Sequence, residues 1–311
     1  SHDDENDGSY SVNVYVDDYI LGVVEDENRT LLRRVARSTL YGIHSIFPPP
    51  EVTQHKGGKD SVSIKKLEKG DAKFMPLKVV LGFLLDGKGR TVRLPQDKAD
   101  RICLELTRML KKNRIPLKRF LSSVGKVSNA TRILPAAKGL LTPLYRALRG
   151  DPKMIGLGKD SELRGALADL RQIIQSLGER ATHVDELVQL TPRAAGTADA
   201  SSEGAGGIWL GCFPPTVWRV TWPDDVRQRY KMGIITNSDL EMAAIIIMML
   251  ILEQLMPLKR QHCHLFSDNT PSVSWTTKLV AKAESVVAAR LLRVLAMRNR
   301  VTEAALPVID H

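Results

Sequence analysis

From Thr197 to the last residue, strand and helix signals alternate in an order that admits few folds. Thr197-Ala-Asp-Ala-Ser-Ser-Glu-Gly-Ala-Gly-Gly-Ile-Trp209 sets an apolar-flanked Asp199 ahead of a glycine-rich turn, and Ile208, Trp209 and Leu210 emerge from it as a second strand. Val217 to Trp222 supplies a third strand, bounded by Pro214-Pro215 and Pro223. Asn237-Ser238 then caps a helix that carries Asp239 and Glu241 near its start and runs to Gln254. Its apolar run, Met242 to Leu252, falls short of the roughly 20 residues a membrane-spanning helix needs, so it reads as a core helix. Leu265-Phe266-Ser267-Asp268-Asn269 ends a further strand on an acid, and a helix of about Ser285 to Arg300 precedes a terminal strand, Leu306 to His311.

Near the other end, Tyr15-Val16-Asp17-Asp18 lies between Val12, Val14 and Val16 on one side and Ile20, Leu21, Val23 and Val24 on the other. That pattern predicts two β-branched strands joined by a tight turn bearing two adjacent carboxylates. Such carboxylates repel each other and add nothing to the fold, whereas a divalent cation would neutralise them and could position a nucleoside triphosphate. An ordinary solvated Asp-Asp turn is the plainer reading of the dipeptide alone.

Charge is distributed unevenly. The chain carries +10 overall, yet Lys88 to Arg149 holds 16 Lys and Arg against 3 acids, Asp97, Asp100 and Glu105. That segment is therefore +13 and the remainder −3. Apolar residues at helical spacing (Ile102, Leu106, Met109, Leu110) bury one face and leave the other cationic. A solvated surface helix would look the same, but the concentration favours a phosphate-tracking surface built from Lys111, Lys112, Arg114, Lys118, Arg119 and Lys126. Cys103, Cys212 and Cys263 are scattered and odd in number, so no disulfide framework follows. His262-Cys263-His264 is not read as a metal site, because alternating side chains on a strand face opposite ways. The acidic, polar N-terminus has no signal-peptide pattern, and the chain reads as soluble and intracellular, without a membrane partner.

The chain is expected to be an α+β multidomain protein. Residues 1–93 read as strand-rich, with a polar loop from His55 to Lys73; residues 94–178 read as helical, broken at Pro116, Pro135, Pro143 and Pro152. Residues 179–192 read as a linker into 193–311.

The motifs resemble those of reverse transcriptases with a ribonuclease H domain, with the LTR/gypsy-like or tyrosine-recombinase retrotransposon enzymes nearest. Tyr15 to Asp18 resembles the catalytic hairpin of the palm, and Lys78 to Asp86 resembles the primer-grip strand centred on Leu81, Gly82 and Phe83. Phe120 to Val127, followed by Leu141-Thr-Pro-Leu-Tyr145, is similar to the helical thumb and connection. In 193–311, the segments at Asp199, at Asn237 to Ala244 with Glu241, and at Ser267-Asp268-Asn269 resemble the ribonuclease H motifs. The resemblance implies a partial palm, a helical thumb/connection, and a ribonuclease H-like α/β domain with a mixed five-stranded sheet. It implies that Asp17 and Asp18, and separately Asp199, Glu241 and Asp268, hold Mg²⁺ or Mn²⁺, that His311 joins the catalytic set, and that the partner is RNA–DNA hybrid or duplex. Cytoplasm, nucleus or a retroelement particle would be the place of action. Acidic ligands from several elements must converge, because two-metal chemistry clamps both the attacking and leaving oxygens.

The resemblance also implies truncation at both ends. Reverse transcriptases take another metal-binding Asp from a strand ahead of the hairpin, and only 14 residues precede Tyr15. The final nuclease carboxylate of the family follows a segment that His311 would open. Both sites are thus expected to be incomplete and activity impaired. A catalytically dead nucleic-acid-binding remnant is the main alternative; a transposase or integrase nuclease core shares the fold but leaves Tyr15 to Asp18 unexplained.

Overall fold

The computed structural model describes the chain except residues 1–9, 16–17, 25–29, 50–61, 151, 160, 189–194, 282–284 and 306, and describes Tyr15 and Asp18 by backbone only. It divides into two units, Ser1–Val80 and Leu81–His311.

In the first unit, alternating β-branched residues form strands β1 (Tyr10–Tyr15) and β2 (Asp18–Val23), antiparallel with Tyr15 opposite Asp18. The expected hairpin is present. The expectation that residues up to 93 are strand-rich is corrected by helix α1 (Thr30–Ile46). Leu31, Leu32, Val35, Thr39 and Ile43 recur on its sheltered side while Arg33, Arg34 and Arg37 are exposed, an amphipathic pattern of period 3.6. A short helix α2 (Ile64–Glu68) and strand β3 (Leu77–Val80) complete this unit.

Lys78 to Asp86 is not one strand. Leu81 (φ 49°) and Gly82 (φ 81°) both take left-handed backbone, which no strand holds, and β4 (Phe83–Asp86) begins after them. In the second unit β4 pairs antiparallel with β5 (Thr91–Arg93), and β5 with β8 (Thr182–His183). The stretch expected to be a linker therefore contributes a strand, with Thr182, His183 and Glu186 buried and an Arg180–Glu186 ion pair at 2.8 Å.

Helices α3 (Gln96–Leu110), α4 (Leu117–Ala130), α5 (Lys138–Ala147) and α6 (Glu162–Glu179) surround a core of Leu94, Leu106, Phe120, Leu140, Leu167 and Ile174. Truncating any one of these to alanine would cost about 2–5 kcal/mol. Strands β6 (Arg114–Pro116) and β7 (Met154–Gly156) pair beside them. The helical stretch is broken at Pro116, which is the N-cap of α4, but Pro143 lies inside α5 without ending it. The proline removes one helix hydrogen bond, and its ring is buried.

The sheet comprises β9 (Ala195–Ala200), β10 (Gly204–Trp209), β11 (Thr216–Thr221), β12 (His264–Phe266) and β13 (Val308–Asp310), in the order β11-β10-β9-β12-β13. Only β10 runs against its neighbours. The expected mixed five-stranded sheet is thus observed. Helix α7 (Asp224–Lys231) follows β11, and α8 (Asn237–Leu255) packs on β9 and β10 through Ala244, Ile245, Met248 and Leu252. Helices α9 (Thr270–Lys278) and α10 (Val286–Thr302) fill the crossover from β12 to β13. Arg300 on α10 is buried and donates to Ser176 O (2.6 Å), Ser176 Oγ (2.7 Å), Thr182 Oγ1 (3.0 Å) and Arg180 O, tying the sheet layer to the end of α6. Among the described residues, no helix is long and apolar enough to cross a membrane.

Candidate metal centre

Strand β9 alternates strictly: Gly196 and Ala198 face inward, Thr197 and Asp199 outward. A Cβ at Gly196 would stand 2.7 Å from Ile208 O and 2.8 Å from the Trp209 ring, both on β10, and 3.2 Å from Met248 Cε on α8, so this inward position has no room for a side chain. Helix α8 packs on this strand. The start of the helix is set by a capping box in which Thr236 Oγ1 accepts from Asp239 N (3.2 Å) and Asp239 Oδ2 accepts from Thr236 N (2.9 Å). Thr236, not Asn237 or Ser238, is therefore the N-cap. Two residues after Asp239, Glu241 is 2% exposed.

Asp268 follows the end of β12, the strand paired in parallel with β9. Asp199, Glu241 and Asp268, separated by long stretches of sequence, thereby meet with one carboxylate oxygen of each within 4.8 Å of the others. Asp199 Oδ1 accepts from the N–H of Ala200 at 2.8 Å, and Glu241 Oε2 is buried without a hydrogen-bond partner. Burial, then the negative charge of Asp199 and the hydrogen bond shared with it, with a further push from Asp268, raise the Glu241 carboxyl to about 7, while the Ala200 N–H opposes this. Three carboxylates this close repel one another when ionised, and a counter-charge relieves that repulsion. An orphaned buried oxygen facing two other hard oxygen donors fits Mg²⁺ or Mn²⁺.

The other expected residues lie elsewhere in the chain. Asp17 lies outside the described residues; Asp18 begins β2, and its side chain is likewise outside them. Leu81 is exposed at its turn, but Phe83 is buried in the core and its ring is unavailable to a primer. Lys98 Nζ stands 5.5 Å from the Phe83 ring centroid and 3.4 Å from Gly82 O, a cation at that turn which the sequence pattern does not announce. Lys111, Lys112, Arg114 and Lys118 are exposed and Arg119 is half-buried. Lys126 is paired with Glu105 at 2.8 Å, so its charge is partly engaged. Burial works to raise Glu105, but hydrogen bonds from Lys126 and Ser123 outweigh it and hold the carboxyl below its usual range. His311 is exposed, one residue beyond β13, and is not part of the carboxylate cluster.

No family model matches the sequence, and no curated protein matches it. Among solved structures, the chain is similar to a foamy viral protease-reverse transcriptase in complex with RNA/DNA hybrid, at 14% identity and a TM-score of 0.29 over 76% of this chain and 29% of that one. It is similar to a foamy viral protease-reverse transcriptase dRH in complex with double-stranded DNA, at 13% identity and a TM-score of 0.29 over 75% of this chain and 38% of that one. A further foamy viral protease-reverse transcriptase complex with double-stranded DNA matches at 14% identity and a TM-score of 0.30, over 66% of this chain and 39% of that one. The chain thus spans well under half the length of these neighbours.

Proposed function

We propose that residues 193–311 are a ribonuclease H-like nuclease module that acts on the RNA strand of RNA–DNA hybrid, within a retroelement reverse transcriptase of the LTR/gypsy-like or tyrosine-recombinase type. The observation that carries this reading is the meeting of Asp199, Glu241 and Asp268 at the C-terminal ends of β9 and β12, adjacent inner strands of a mixed five-stranded sheet in which β10 alone is reversed. Asp199, Glu241 and Asp268 would hold Mg²⁺ or Mn²⁺. When bound, the ion supplies charge neutralisation at a phosphodiester and lowers the pKa of water. Asp199 is oriented by the Ala200 amide, and Glu241, whose carboxyl is raised by burial and by Asp199, would have to be ionised to serve as a ligand.

The cationic surface of α3, α4 and the β6 turn, with Lys111, Lys112, Arg114 and Lys118 exposed, would grip the phosphates of the duplex. The β1–β2 hairpin with Asp17 and Asp18 would belong to the palm of the polymerase half, and the turn at Leu81 and Gly82 to its primer grip; residues 94–178 would be thumb and connection. In this assignment the primer contact falls on Leu81 and the turn backbone, because Phe83 is buried.

The test follows Mn²⁺ uptake by electron paramagnetic resonance, with RNA–DNA hybrid then added at constant ionic strength. Wild-type chain should bind Mn²⁺ and bind hybrid more tightly with the ion than without it, and Asp199→Asn should lose both effects. Equal behaviour of the two proteins would overturn the assignment.

A further inference from the structure

Asp268 is the exposed member of the cluster that no regular element holds, since β12 ends at Phe266 and α9 begins at Thr270. Its neighbours on both sides, however, are fixed. Ser267 is 3% exposed, and its N–H donates to Asp310 O at 3.1 Å, fastening the junction to β13. Asn269 is the N-cap of α9: its Oδ1 accepts from Ser272 N at 3.0 Å, and its own N–H donates to Ser267 Oγ at 3.4 Å. Ser272, fully buried, closes the loop by donating from Oγ to Asn269 O at 2.8 Å, with Ser267 Oγ 3.5 Å away. The peptide units before and after Asp268 are therefore locked to the sheet on one side and to the helix on the other.

We propose that Asn269 is a positioning residue for the metal centre, holding the Asp268 backbone where its carboxylate meets Asp199 and Glu241. This rests on the metal-site reading above. The cluster assembles acids that repel one another, so a carboxylate on a free loop would swing out to solvent whenever no ion is bound. A capped strand-to-helix junction removes that freedom in advance. An ion then meets a preformed ligand instead of ordering a loop, and loss of such support around ligands commonly weakens metal binding by about 10–100-fold.

Mn²⁺ titrations of the full chain by paramagnetic resonance, with melting temperature measured on the same samples, test this. Asn269→Ala should weaken Mn²⁺ binding by about tenfold or more, and Asn269→Ser, which keeps a capping oxygen, should stay within about threefold of wild type. Ser161→Ala is the control: it removes the equivalent cap from α6, where Ser161 Oγ accepts from Arg164 N at 3.3 Å. It should lower the melting temperature comparably and leave Mn²⁺ affinity unchanged. Should Asn269→Ala fail to fold, Asn269→Gly, better tolerated at an N-cap, takes its place. Unchanged affinity in Asn269→Ala or Gly, or an equal loss in Ser161→Ala, would overturn the positioning role alone. If Asp199→Asn binds Mn²⁺ as tightly as wild type, the metal centre itself is wrong, and the positioning role goes with it.

Discussion

Replacing Glu241 with glutamine should make the metal-free protein more stable at alkaline pH. The folded-state carboxyl sits at about 7 against an ordinary 4.5, so folding is favoured by the proton. That contribution is fully present below pH 4.5 and is lost as pH rises through 7, because ionised Glu241 is buried against Asp199 and Asp268. At about 1.4 kcal/mol for each pH unit between the two values, the loss by pH 8 is about 3 kcal/mol. Glutamine keeps the shape and cannot ionise, so Glu241→Gln should match wild type near pH 4.5 and exceed it by roughly 2–3 kcal/mol at pH 8. Urea unfolding with a chelator present measures this. The 4 tryptophans (Trp209, Trp218, Trp222 and Trp275) all lie in the sheet-bearing part, so their fluorescence reports on it. Titrating groups remote from the cluster cancel in the difference between the two proteins, which leaves the coupled titration of Glu241 with Asp199 and Asp268. Mn²⁺ should then raise wild-type stability at pH 8 and barely affect the variant. A variant no more stable than wild type at pH 8, with the same dependence on pH, would refute the electrostatic account of the cluster.

Three further outcomes are expected. Reversing Lys111, Lys112, Arg114 and Lys118 to glutamate should weaken hybrid binding and flatten its dependence on log salt by roughly 0.9 for each phosphate no longer neutralised, measured by fluorescence anisotropy across a salt series. Lys126→Ala should change that slope little, because Lys126 is paired with Glu105. Arg300→Met should cost about 1–3 kcal/mol by urea unfolding, since it strips a donor from Arg180 O and from the buried Thr182 Oγ1, while Ser176 O keeps the N–H of Arg180.

Much of the sheet-bearing part is legible in the sequence because its signals are local. The prolines around β11 and the apolar run of α8 each mark an element without reference to the rest, but the turn after β9 is Ser201-Ser202-Glu203, and the glycines expected to form it (Gly204, Gly206 and Gly207) lie inside β10. The carboxylates are legible too, as acids at the ends of elements, although their meeting depends on β12 pairing beside β9. What stays hidden depends on partners distant in the chain. Nothing near Lys126 announces Glu105, and nothing near Arg300 announces the end of α6. Phe83 cannot be assigned inward without the paired left-handed residues at Leu81 and Gly82, which break the strand that the three residues would otherwise share. Helix α1 is legible in principle, since Leu31, Val35, Thr39 and Ile43 keep a four-residue spacing, but the valines flanking Asp17 and Asp18 pull the region toward strands. Asn269 followed by Pro271 is likewise a helix-start signal, masked by its place in the Ser267-Asp268-Asn269 motif.

The most direct test of the metal centre is anomalous diffraction from crystals of the full chain grown with Mn²⁺. A peak should lie between Asp199, Glu241 and Asp268, with carboxylate oxygens from all three at coordinating distances of about 2.1 Å or slightly more. Saturating Mn²⁺ with no peak there, or with the ion held by other residues while these three carboxylates point apart, would contradict the account.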